Sequence, residues 1–274
     1  MSLKGSIIGD IIGSQYEFRR PKDFDYKTAP LLTERCRFTD DTVLSIATKY
    51  AILKNIPFQK AYLDFGNAYI KVGYGSRFRN WLSEKNPLPY GSYGNGSAMR
   101  VSYIADQFDN KDDVIQKAVE SAMCTHNHPE GIKGAVTTAV CIWMAKHEFS
   151  KEDILNYGIS QYPKTEYTYS PVYPLAEIEK RYIWDETCQG SVPAVIRCIY
   201  EADSYTEFIR NVFRLKCDTD TLCCIGGGIA EELFDNSTDE IMLRKDDLFA
   251  EFLDRNLLSV LYQKKQETLR RVVF

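Results

Sequence analysis

Apolar residues return at three- and four-residue spacing in nine stretches of the chain, and no stretch alternates apolar and polar residues long enough to build a sheet. The nine stretches are 6–18, 42–54, 58–72, 111–124, 131–146, 192–201, 205–215, 221–234 and 247–262. Such a pattern leaves one class of solution, in which helices bury their apolar stripes against other helices. The chain has 274 residues, of which 44% are hydrophobic and 26% charged, enough for one large core. The expectation is an all-α fold, organised as a single domain over residues 1–274.

The first helical stretch carries a further constraint. Gly5, Gly9 and Gly13 recur every four residues and therefore share one face. Glycine inside a helix costs about 1 kcal/mol relative to alanine. Three on one stripe imply close approach of another helix or of a ligand. Two stretches interrupt the helical pattern, 71–98 with the run PYGSYGNGSAM, and 161–191 with the run YPKTEYTYSPVYP. The first reads as a functional loop, because its glycines let backbone approach a ligand. The second reads as a surface excursion of little functional weight.

Charge and cysteine usage narrow the function classes. The net charge of −4 supplies no basic excess of the kind that marks a nucleic-acid-binding face. Eight cysteines are scattered without C-x-x-C spacing, the pattern of reduced thiols in the cytoplasm rather than of a disulfide framework. The opening MSLKGSIIGDIIG is broken by Asp10 and its glycines and lacks a signal-peptide pattern. No apolar run is long enough to cross a bilayer. A soluble cytoplasmic protein is expected.

Two acidic clusters carry the chemistry. Phe38–Ala47 reads FTDDTVLSIA, with Thr39, Asp40 and Asp41 ahead of an apolar helix; Cys217–Gly228 reads CDTDTLCCIGGG, with Asp218, Asp220 and Thr221 in the same position. Helix capping accounts for one such side chain at each start. It does not account for two carboxylates and a hydroxyl packed into so few residues, since adjacent carboxylates repel unless a cation lies between them. All-oxygen ligands of this kind suit magnesium, manganese or calcium rather than zinc. Glu17, beyond the glycine stripe, is placed either to orient or deprotonate a water beside such ions or to be a helix-end acid without a role. Asp10 reads as structural.

Further candidates lie in two short runs. YGNGSAMR, residues 93–100, offers Asn95, Gly96 and Ser97 as a cradle whose N–H groups meet phosphate, though Gly-Asn-Gly is also an ordinary turn. Arg100 pairs either a phosphate or a structural carboxylate. CTHNHPEG, residues 124–131, invites a zinc reading, but Cys124, His126 and His128 are crowded and lack a fourth ligand. His126 reads better as a ligand-bonding residue and His128 as a structural one.

Taken in order, the motifs GSIIGDIIGSQYEF, FTDDT, GNGSAMR, THNHPEG, GSVPAVIRC and DTDT resemble those of the ADP-ribosylglycohydrolases, nearly from end to end. That family includes dinitrogenase-reductase-activating glycohydrolase and the eukaryotic ADP-ribosylhydrolases. The resemblance implies a compact orthogonal helical bundle with a central cleft holding two Mg²⁺ ions, for which Mn²⁺ could substitute. It implies Thr39, Asp40, Asp41, Asp218, Asp220 and Thr221 as metal ligands, and Asn95, Gly96, Ser97 and His126 as the lining of an ADP-ribose site. Glu17, Asp40, Asp41 and Asp218 are the catalytic candidates. The implied reaction is hydrolysis of the glycosidic bond between ADP-ribose and an acceptor. Hydrolysis of another ADP-ribosyl small molecule, and binding without catalysis, are the alternatives. The implied partner is an ADP-ribosylated protein or small molecule acted on by a monomer, with no membrane and with nucleic acid only as an ADP-ribosylated substrate. Cys217 departs from the family's usual glycine and adds bulk beside the expected metals; Cys223 and Cys224 replace small residues; 161–189 matches no motif of the family.

Overall fold

A computed structural model describes residues 1–264 and confirms the all-helical class. Eight of the expected stretches are single helices: α1 (Ser2–Gly13), α2 (Asp40–Lys54), α3 (Phe58–Ala68), α6 (Lys111–Met123), α7 (Pro129–Lys146), α10 (Cys188–Tyr200), α11 (Tyr205–Arg214) and α12 (Thr219–Leu233). The ninth is two helices, α14 (Lys245–Phe252) and α15 (Arg255–Leu261), because the Asp254 carboxylate caps the N–H groups of Asn256 and Leu257 and restarts the chain. Five helices lie outside the expected stretches: the short α4 (Ser76–Ser83), α5 (Ser102–Gln107), α9 (Leu175–Arg181) and α13 (Glu240–Leu243), and α8 (Lys151–Gln161), which is as long as α3. The expected unit of 1–274 extends past the described residues. Within them one continuous apolar core runs from Leu3 to Leu261.

The most extensive helix pairing is α1 against α12, and the glycine stripe makes it. The two run antiparallel with backbones touching. A Cβ on Gly5 would lie 2.3 Å from the Gly227 carbonyl oxygen, on Gly9 2.1 Å from that of Cys223, and on Gly13 2.6 Å from Cα of Asp220. The start of α1 is fixed separately: Asp106 accepts the N–H groups of Ser2 and Leu3, and Glu231 accepts that of Gly5. Carboxylates thus satisfy first-turn donors that have no partner inside the helix. This pairing brings the end of α1 to the start of α12. Helix α1 stops at Gly13 rather than continuing to Phe18, so Glu17 leaves the helix axis and turns toward Asp218 and Asp220.

Asp10 joins α1 to α2. Its two carboxylate oxygens accept the Thr39 N–H at 2.9 Å, the Thr39 hydroxyl at 2.7 Å, the Thr42 N–H at 3.1 Å, and the Thr42 hydroxyl. The first turn of α2 is therefore capped from outside, and the structural reading of Asp10 holds. No described helix is long and apolar enough to cross a membrane.

Candidate active site

The starts of α1-adjacent α2 and α12 meet at a cleft of about 310 Å³. Glu17, Asp40, Asp41, Asn95, Gly96, His126, Asp218, Asp220 and Thr221 all border it. Oxygens of Asp10, Asp41 and Asp220 lie within 4.8 Å of one another, and so do oxygens of Glu17, Asp218 and Asp220. Asp220 belongs to both groups and links them.

Capping does not explain these carboxylates. Asp218 stands at the N-cap of α12, yet its side chain accepts none of that helix's N–H groups. Its Oδ2 instead accepts the Asn95 amide at 2.9 Å, an amide that also donates to the Ser191 hydroxyl at 3.0 Å. Asp41 Oδ1 and Asp220 Oδ1 are buried with no hydrogen-bond partner. Buried carboxylate oxygens left without a donor are costly, and a proton or a cation offsets the cost. The donors are all oxygens, so the set fits a hard divalent cation.

Electrostatics follow from this crowding. Burial, then the Asp10 charge, raises Asp41 far above the carboxylate range; burial, then Asp218, does the same to Asp220. Asp40 is partly exposed at its surface but deep enough for burial, reinforced by Asp10, to lift it to about 8. Glu17 is raised to about 7 by burial and then by Asp218, against the pull of Arg37, whose guanidinium lies 3.9 Å away.

Two expected site residues, Thr39 and Ser97, do not border the cleft. The Thr39 hydroxyl is committed to Asp10 and reaches Asp41 Oδ2 at 3.2 Å from behind the cleft. The Ser97 hydroxyl donates to the Gly131 carbonyl at 2.7 Å and meets Cys188 Sγ, so it anchors the loop from below. Thr221 borders the cleft and donates to Asp41 Oδ2 at 3.3 Å.

Behind the glycines of 94–96 lies a chain of hydrogen bonds. Arg100 is fully buried and makes no salt bridge among the described residues. Its Nη2 donates to the Ser121 carbonyl and to Thr125 Oγ1, both at 2.8 Å, and its guanidinium lies 4.1 Å over the Tyr62 ring. Thr125 Oγ1 thus accepts from Arg100 and lies 2.7 Å from His126 Nδ1, a bond in which either atom can be the donor. The other ring nitrogen, Nε2, faces Gly94 and Gly96. Burial, then Arg100 and Arg77, holds His126 well below its ordinary value, so it is neutral.

The zinc reading fails on geometry. Cys124 donates to the Ser121 carbonyl, and His128 Nδ1 caps α7 by accepting the Glu130 N–H. The metal-competent groupings among the described residues are carboxylates alone. Cys217 turns its Sγ to the Val212 carbonyl, away from the cleft, so the bulk expected beside the metals goes into the core instead. All eight cysteines are free.

The residues missed by sequence reasoning come mostly from 71–98: Gly73, Ser76, Arg77, Tyr90 and Ser92 all border the cleft, as the glycine-rich composition hinted. Glu186 also borders it, and its carbonyl accepts the Asn95 N–H at 2.8 Å. The end of 161–191 is therefore part of the site, which corrects its reading as a surface excursion.

A helical scaffold with this acidic cleft, matched over residues 1–230 by the model of the ADP-ribosylglycohydrolases, belongs to the ADP-ribosylglycohydrolase family. Among its relatives, the ADP-ribosylhydrolase ARH3 of Bos taurus is 31% identical over 186 residues, covering 56% of this chain and 51% of that protein. ARH3 of Homo sapiens is 29% identical with the same coverage. The chain thus spans about half the length of these curated relatives. A putative ADP-ribosyl glycohydrolase of Acanthamoeba polyphaga mimivirus is 22% identical, with 88% of each chain covered. In fold, the chain is similar to a solved ADP-ribosylglycohydrolase-related protein complex, with a TM-score of 0.69 at 19% identity over 97% of this chain and 96% of that one.

Proposed function

We propose that this protein is a magnesium-dependent hydrolase, able to use manganese, that cleaves the glycosidic bond between ADP-ribose and an acceptor and releases ADP-ribose. Family membership and the names of the relatives support the reaction class. The observation that carries the cation dependence is the pair of orphaned buried oxygens, Asp41 Oδ1 and Asp220 Oδ1, in one cleft. Asp40, Asp41, Asp218, Asp220 and Thr221 would hold the ions, with Thr39 supporting Asp41. The bound ions would offset the carboxylate charge, engage the ribose hydroxyls and polarise a water.

The chain's own residues divide the remaining work. Asn95 fixes the Asp218 carboxylate from the opposite wall. With the Thr125 hydroxyl donating to Nδ1, His126 presents an Nε2–H beside the glycines of 94–96, where a substrate phosphate oxygen accepts it. Glu17 stands at the mouth with its side chain 15% exposed. Its carboxyl, poised near neutrality by burial, can hold or release a proton as oxocarbenium character develops and collapses at the ribose C1. The partner on this reading is an ADP-ribosylated protein or small molecule, met in a reducing compartment that keeps the thiols free.

The test is release of free ADP-ribose from ADP-ribosylated peptides by protein dialysed against EDTA and then supplied with Mg²⁺. Release that returns with Mg²⁺ is expected. Full activity in EDTA, or binding without turnover in Mg²⁺, contradicts the proposal.

A further inference from the structure

Phe18 sits where three cavities meet. It borders the cleft, a groove of about 520 Å³ that carries Arg19, Arg35 and Arg37, and a hollow of about 380 Å³ that carries Trp184 and Lys216. Its side chain is 73% exposed and stacks on Trp184, 37% exposed, with ring centroids 5.7 Å apart and planes 23° from parallel. The stack is tied to the cleft wall. The Trp184 indole N–H donates to Glu186 Oε1 at 3.0 Å, and the Glu186 carbonyl accepts the Asn95 N–H. Two large aromatic faces are thus held in water beside Glu17, where they gain nothing from the core.

Cations gather around the stack beside the two acids, Glu17 and Glu186, that also touch its surroundings. Arg19, Arg35 and Lys216 make no ion pair among the described residues, and Arg37 reaches Glu17 at 3.9 Å. Arg20 differs: it donates to the Phe213 carbonyl and the Thr219 hydroxyl, and so serves the fold. A chain of net charge −4 therefore gathers free cations at one rim, a patch that the whole-chain balance conceals. An open aromatic face flanked by free cations is the combination that holds a nucleotide, with the base on the ring and the phosphate on the cations. The same cations repel an arginine acceptor, and a serine side chain has no plane to stack.

We propose that the Phe18–Trp184 stack and the rim formed by Arg19, Arg35 and Lys216 are an acceptor subsite for a nucleotide, whose base lies on the stack and whose phosphate meets the rim. This rests on the reading of the cleft as an ADP-ribosyl hydrolase site and names the acceptor that site prefers. A base with its phosphate can come from a nucleic-acid strand or from a further ADP-ribose unit.

Two measurements on the full chain test it. The first is binding of an unmodified single-stranded oligonucleotide, followed by anisotropy across a salt series, which needs no turnover. Phe18→Ala and Trp184→Ala should each weaken binding roughly tenfold or more, Trp184→Phe should retain it, and Arg19→Ala with Arg35→Ala should flatten the salt dependence. The second compares kcat/KM on an ADP-ribosyl oligonucleotide, an ADP-ribose dimer and an ADP-ribosyl-serine peptide. Phe18→Ala should lower one or both nucleotide substrates roughly tenfold more than the peptide. A selective loss on the oligonucleotide assigns a nucleic-acid strand, and on the dimer a further ADP-ribose unit. Equal losses on all three substrates, or oligonucleotide binding indifferent to both aromatic variants, overturn the subsite. If the wild type hydrolyses nothing, the reading of the cleft fails, and the binding series alone decides the subsite.

Discussion

Gly9 of α1 lies against Cys223 of α12 so closely that one added methyl group would stand 2.1 Å from the Cys223 carbonyl oxygen. The obstacle is backbone and cannot rotate aside. Gly9→Ala should therefore destabilise the protein by about 3 kcal/mol or more, well beyond an ordinary surface change. Gly75→Ala, where an added Cβ meets nothing within 4 Å, should stay within about 0.5 kcal/mol. Denaturant unfolding of the two variants checks the contrast, and similar losses in both would refute the account of the α1–α12 contact.

Asp10 supports the site without lining the cleft. Its carboxylate accepts four donors from Thr39 and Thr42, two of them the backbone N–H groups that begin α2. Asp10→Ala leaves three of the four unpaired, the Thr39 hydroxyl keeping Asp41 Oδ2 at 3.2 Å, and a loss of about 3 kcal/mol is expected. Hydrogen exchange should show the first turn of α2 opening before the rest of that helix. Uniform exchange along α2 would remove Asp10 from this role.

Metal-free protein should be limited by its own acids. Asp41→Asn and Asp220→Asn each replace a buried acid that has an orphaned oxygen with an amide that never ionises. Each should raise the melting temperature in EDTA, by several degrees, while abolishing the further rise that Mg²⁺ gives the wild type. Turnover should fall at least about a hundredfold. A variant melting lower than wild type in EDTA would show that the carboxylates stabilise the metal-free fold.

The sign of the pH dependence follows. Glu17 and Asp40 are raised to about 7 and about 8 in the folded chain, against roughly 4 when unfolded. The folded state binds more protons, so their contribution is fully present below about pH 4 and is lost as pH climbs through the folded values. Divalent ions bind the deprotonated acids. The gap between melting temperatures in Mg²⁺ and in EDTA should widen from about pH 5 to about pH 8. A constant gap would separate these carboxyls from the cation.

Thr125 should act through His126. Thr125→Val removes the hydroxyl that relays between Arg100 and His126 Nδ1. The expected result is a mixed tautomer by ¹⁵N NMR and a KM raised about fivefold to tenfold, with kcat less affected. Unchanged ¹⁵N shifts would break the chain of bonds.

How much of this was legible in the sequence depended on periodicity. Long amphipathic stretches declared themselves, and the four-residue glycine stripe gave the backbone contact before its partner was known. Helices α4 and α5 are too short to repeat a pattern, and the Asp254 cap inside 247–262 looked like any exposed acid. Both acidic clusters were legible because charge crowding is local. Glu186, Phe18 and Trp184 were not: Glu186 and Trp184 are single side chains in an aperiodic segment, Phe18 closes the stretch 6–18 beyond the end of α1, and only the fold brings them together. Arg100 reads as pairing a phosphate or a carboxylate; the fold gives its Nη2 a carbonyl and a hydroxyl and its plane the Tyr62 ring, and leaves Nε and Nη1 without a partner at the cleft.

The most direct measurement is an anomalous difference map from a crystal soaked in Mn²⁺. Peaks should lie at coordination distance, about 2.0–2.3 Å, from Asp41 Oδ1 and Asp220 Oδ1, with Asp218 completing the cage. A map without peaks, in which those two oxygens share a proton or turn apart, would contradict the cation site from which the proposed chemistry follows.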